Sequence, residues 1–139
     1  MFSKYFTSLF LCMFLQNSYA CGAPIRGDEY DKLIEAKISK TYESETTYSI
    51  KLPEKINLGD TETSRADVRI LIYEKHWNDA NIAIPLNLEL KDNELVGEIK
   101  FWNEMDLTIE ISVSWWSAPG LCPVVADKII KHNRVAEGL

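Results

Sequence analysis

The sequence predicts an all-β protein, one antiparallel sandwich of about seven strands. Three features predict it. Apolar residues recur at every second position through most of the chain, which is the period of a half-buried strand. No segment of helical length carries the α-helical period of ~3.6 residues. Clusters of Gly, Pro, Asn, Asp and Ser break the apolar runs at the spacing expected of a sandwich or small barrel.

The elements follow in order. "CGAPIRGDEYD", 21–31, reads as an extended or looped arm because Gly22, Pro24 and Gly27 interrupt it. Ile34, Ala36, Ile38 and Tyr42 then alternate with polar residues, and Tyr48, Ile50 and Leu52 follow the "ESET" turn until Pro53 stops the run. The polar stretch 55–67, with Gly59 and Asp60, reads as the longest loop. "VRILIY", 68–73, is apolar on both faces, as a central strand is. "HWNDAN", 76–81, reads as a turn.

Ile82, Ile84, Leu86, Leu88 and Leu90 alternate without a break and predict one strand. Pro85 lacks a donor, so that strand belongs at an edge or is irregular there. "KDNE", 91–94, predicts a hairpin turn, and Gly97 in the next strand a bulge. After the "NEMD" turn, Leu107, Ile109, Ile111, Val113 and Trp115 give the clearest alternation in the chain. "SAPGLCP", 117–123, is a Pro/Gly loop. Residues 124–130 read as a last strand, with a short helix from Ala126 as the alternative.

The strand count and turn spacing fit an immunoglobulin-like or fibronectin-III-like sandwich, with a small β-barrel as the alternative. The likeness is architectural only. A Trp between two cysteines on core strands, as in antibody domains, is not the pattern here.

Residues 1–20 are not part of this fold. Lys4, the apolar run Tyr5–Leu15 and the polar "QNSYA" ending in Ser18-x-Ala20 form a secretory signal peptide. Its apolar core is shorter than the ~20 residues a spanning helix needs. Residues 21–139 then form a single domain of ordinary size. Lys4 leaves with the leader, so that domain carries 14 Lys and Arg against 21 Asp and Glu, a formal charge of −7. Such a charge disfavours nucleic acid and anionic lipid as partners.

Cys12 also leaves with the leader, and the remaining pair, Cys21 and Cys122, predicts a disulfide. Lipidation of Cys21 is the alternative and the one route to a membrane. Ser18 and Tyr19 suit a lipoprotein junction poorly, and lipidation leaves Cys122 unpaired. The expected location is the periplasm or the exterior, or the outer membrane if Cys21 is lipidated.

No nucleophile elbow, glycine-rich phosphate loop or metal-ligand spacing is present, so no cofactor is expected and catalysis lacks a motif. His76 and Asp79 are weak metal candidates because they lack a third ligand at a recognised spacing. Asp60, Glu62 and Asp67 share one loop without the order of a calcium loop. A Cys122–His132 nucleophile pair loses its thiol to the disulfide. Arg26-Gly27-Asp28 is the tripeptide integrins bind, but three residues confer little specificity.

The tryptophans are more informative. Trp102 and Trp116 alternate outward from Phe101 and Trp115, and Trp77 lies in a turn, so these three are candidates for a binding surface. Packing beneath the 55–67 loop is the competing role. The expected function is a non-catalytic binding module of the bacterial cell envelope, directed at an unknown protein or envelope component. The alternatives are a small exported metal-handling protein or enzyme using His76 and nearby carboxylates, and an inhibitor that inserts its disulfide-clamped arm into a target.

Overall fold

Leu107, Ile109, Ile111, Val113 and Trp115 all point inward from one ten-residue strand and organise the core. The computed structural model describes residues 21–74, 82–117 and 121–133. Its elements are a helical turn α1 (Asp28–Asp31) and strands β1 (Glu35–Thr41), β2 (Glu45–Pro53), β3 (Asn57–Leu58), β4 (Thr61–Glu62), β5 (Arg65–Glu74), β6 (Ile82–Pro85), β7 (Glu89–Lys91), β8 (Glu94–Trp102), β9 (Leu107–Trp116) and β10 (Val124–His132).

The long strands form two open antiparallel sheets, ordered β1-β2-β8-β7 and β10-β9-β5-β6. The sandwich expectation therefore holds and the barrel alternative does not. In strand order the sheets correspond to the ABED and GFC sheets of immunoglobulin-type sandwiches, with β6 added beside β5. The antibody hallmarks are placed differently: the buried Trp115 is on β9, and the disulfide ties the arm.

Ile50 and Leu52 from one sheet meet Ile70, Ile109, Ile111 and Val113 from the other in one apolar cluster. Each such side chain contributes about 1.5–3 kcal/mol by leaving water. Trp115 is fully buried, and its Nε1 donates to the Pro53 carbonyl at 2.9 Å, which satisfies the one polar atom of its ring.

Four local expectations are corrected. The unbroken 82–90 pattern is two strands, β6 and β7, at the edges of different sheets. Residues 86–88 carry the chain across the sandwich, and alternation persists because Ile82 and Ile84 stand beside Ile72 and Ile70, and Leu90 beside Leu95, on the inward side of each sheet, although all three stay exposed at the edges. Leu86 N donates to Val68 O at 3.0 Å. Donors alternate along a strand, so the nitrogen of Pro85 faces the open side of β6, where its missing hydrogen costs nothing.

Gly97 makes no bulge: β8 keeps its register with both β2 and β7. Instead Leu88 packs onto it, and a Cβ there would lie 2.5 Å from Leu88 Cδ2. The bulge lies in β1, where register shifts between Ile38 and Lys40. The 55–67 loop contains the β3–β4 hairpin and the start of β5, closed by Thr63, whose backbone N donates to Ile56 O while its Oγ1 accepts from Ile56 N, both at 2.9 Å. The arm 21–31 contains the helical turn α1. Residues 124–132 form the strand β10, which excludes the helical alternative there.

The β7–β8 turn is as expected. Asp92 and Asn93 have φ of 53° and 65°, the left-handed pair of a two-residue type I′ hairpin.

The arm covers half of the β10 edge. Cys21 is bonded to Cys122, Ile25 N donates to Pro123 O at 2.9 Å, and Val125 N donates to Ile25 O at 2.8 Å. Asp127 is held twice, by Arg26 at 2.7 Å through its carboxylate and by Asp31 Oδ1 at 2.9 Å through its backbone N. An exposed strand edge is thereby blunted. The same contacts fix Arg26 of the integrin-type tripeptide to the sheet.

Candidate functional site

The outer face of the β1-β2-β8-β7 sheet is a lattice of ion pairs. The hydrogen bond from Lys37 holds the Glu35 carboxyl below its usual range, and that from Lys51 to Glu94 raises the Lys51 ammonium. Lys100 lies 3.6 Å from Glu45. Trp102 stands at the end of this face, 61 % exposed.

The β10-β9-β5-β6 face is shaped differently. Register places Trp116 beside Arg65, Ser114 beside Asp67 and Ser112 beside Arg69, all pointing outward. Asp67, Arg69, Ser112, Ser114 and Trp116, with Leu71, line a groove of about 290 Å³. Trp116 is 37 % exposed at its head, with the Arg65 guanidinium 5.9 Å from its ring centre. Arg65 is also 3.6 Å from Asp67. Within the 55–67 segment, Ser64 holds the backbone of Trp116 through N and Oγ at 2.6 and 3.1 Å from its carbonyl, and Arg65 is the residue that lies over its ring.

A second groove of about 460 Å³ lies around the β5 edge. Asp67 and Arg69 line both grooves; Val68, Leu86, Leu88 and Leu95 give the second an apolar floor, and Asn87 an amide. It falls in the size range of small-ligand sites. Arg69 has no hydrogen-bond or ion-pair partner among the described residues, whereas Arg26 and Arg65 are both paired. A third depression, about 580 Å³ beside Gly97, has its lysine, Lys51, already paired with Glu94 at 2.7 Å.

The tryptophan candidates do not form one platform. The Trp102 carbonyl meets His132, which pairs with Leu107 at the start of β9, while Trp116 ends the same strand. At ~3.4 Å per residue these positions are roughly 30 Å apart, and the two rings lie on outer faces of different sheets. Trp77, His76 and Asp79 lie outside the described residues.

Asp60, Glu62 and Asp67 do not converge: Glu62 lies 3.8 Å from Lys55, Asp67 lies beside Arg65, and among the described residues no three His, Cys, Asp or Glu gather as metal ligands. Cys122 and His132 flank opposite ends of β10, and the Cys122 sulfur is in the disulfide.

The grooved corner therefore offers guanidinium, carboxylate, hydroxyl and indole groups for binding. Ser112 and Ser114 have no described histidine beside them, since His132 is buried at the far end against Tyr48. Arg69 was not among the sequence candidates. Its available signal was a charged residue inside "VRILIY", an otherwise apolar strand.

Compared with protein-family models, curated proteins and solved structures, the chain matches none. The formed disulfide is the mark of an oxidising, non-cytoplasmic compartment. No helix among the described residues is long and apolar enough to cross a membrane.

Proposed function

We propose that the chain is an exported, non-catalytic binding module of the bacterial cell envelope or its surroundings, and that it engages its partner through the β5 corner of the β10-β9-β5-β6 sheet. The observation that carries this reading is the meeting of two grooves at Asp67 and Arg69, with a guanidinium that is unpaired among the described residues and a part-exposed indole on their walls. Arg and Trp are the residue types favoured at binding hot spots. The arm, by contrast, is engaged along β10, which favours the corner over the arm as the presented surface. Cys21 Sγ is bonded to Cys122, which favours export without a lipid anchor.

Site-specific photo-crosslinking in the producing cell tests the proposal. A crosslinker at Ser112 should yield one discrete adduct, and one at Glu98, on the opposite sheet's outer face, should not. Adducts equally abundant from both positions contradict it.

A further inference from the structure

We propose that the half of the β5 edge left uncovered among the described residues binds the carboxyl terminus of an extended peptide from a partner protein. The inference rests on the binding-module reading above and names its ligand class. β6 pairs with Arg69 to Ile72 of β5, and among the described residues Leu86 N to Val68 O is the last bond on that edge. Because backbone groups alternate, the N–H and C=O of Ala66 face the same side, with no strand opposite them among the described residues. An unpaired edge of this kind pairs with an added main chain.

Below that edge, Val68, Leu88 and Leu95 provide an apolar floor for one side chain of the incoming segment. Beside it stands Arg69, unpaired among the described residues in a chain of net negative charge. A guanidinium recognises a carboxylate through two parallel hydrogen bonds. The crossover at 86–88 occupies the edge beyond Val68, so a segment lying along Ala66 must begin or end there, and the Arg69 guanidinium at that end selects a carboxylate and hence a segment parallel to β5. A segment running parallel to β5 along Ala66 must end there, and its terminal carboxylate is then level with Arg69. An internal acidic side chain does not meet this requirement, because its chain has to continue through Leu86.

The test uses the mature, disulfide-intact protein on arrays of random hexapeptides ending in Leu, Ile, Val or Phe, each as the free acid and as the amide. Binding should be at least tenfold stronger on the acids, and Arg69→Gln should reduce the acids to the level of the amides. Ala66→Pro removes the edge donor, leaves the bonds to β9 in place, and should weaken both sets. Circular dichroism checks that each variant is folded, and the surface change at Arg69 carries the test if Ala66→Pro is not. Equal binding to acids and amides, or unchanged binding by Arg69→Gln, overturns the inference. If neither set binds while Ser112 still crosslinks a partner, the terminus inference fails and the module reading stands. If the Ser112 adduct is also missing, the module reading fails with it.

Discussion

Tyr48 Oη lies 2.8 Å from Nδ1 of His132 inside the sandwich, joining the two sheets through a polar contact in an apolar core. Nε2 of the same ring lies 3.0 Å from the Trp102 carbonyl, which only accepts. That geometry assigns the hydrogen to Nε2 and makes Nδ1 the acceptor of the Tyr48 hydroxyl. Phe101 completes the cluster, its ring centre 5.7 Å from that of His132. Tyr48→Phe strands the Nδ1 lone pair and should cost about 1–3 kcal/mol in urea unfolding. His132→Ala strands two partners and leaves a cavity, so it should cost more. A double-mutant cycle should return a coupling of about 0.5–3 kcal/mol.

The same pair predicts an alkaline limit to stability. Burial raises the Tyr48 phenol above its ordinary pKa of 10.0. The folded state therefore favours the protonated phenol. Its contribution is complete below the unfolded value and is lost as pH rises through the folded one. The urea midpoint should fall above about pH 10, and less steeply in Tyr48→Phe than in the wild type. Parallel profiles for the two proteins contradict the assignment.

Asn103 latches the β1–β2 turn. It is buried, accepts from Thr46 Oγ1 at 2.7 Å, and donates from Nδ2 to the carbonyls of Tyr42 and Glu43 at 2.7 and 3.2 Å. Asn103→Ala should cost about 1–3 kcal/mol through the orphaned groups. Amide exchange should quicken at Tyr42, whose N donates to Glu45 O at 2.8 Å, before it does in β9.

The disulfide spans a sequence separation of 101 residues. Replacing both cysteines by serine should cost about 2–5 kcal/mol, the loop-closure model giving ~4.7 for a loop near this length. Hydrogen exchange should show where the arm lets go. The amides of Val125 and Asp127, bonded to Ile25 O and Asp31 Oδ1, should lose protection while Ile111 keeps it. Unchanged exchange at both amides contradicts the clasp.

How much was legible in the sequence differs from element to element. β9 was legible because one of its faces is wholly buried and the other polar, so its side chains record the sheet directly. The β6–β7 crossing was not, because the alternation of Ile82, Ile84, Leu86, Leu88 and Leu90 is the same whether the strand continues or changes sheets. Pro85 alone marked the place. Gly97 was read as a bulge since sequence cannot distinguish a glycine that bends a strand from one that admits Leu88. The pairing of Cys21 with Cys122 was legible from compartment and count. The corner was not, because Arg69, Asp67 and Trp116 meet only through the pairing of β5 with β9.

The most direct measurement is backbone amide shift mapping of the disulfide-intact mature chain, titrated with the partner captured through Ser112. The account predicts that the perturbed amides cluster at Ala66, Asp67, Arg69, Asn87 and Trp116. Perturbations centred on Trp102 and Met105, or along Ile129 to His132 of β10, would contradict it.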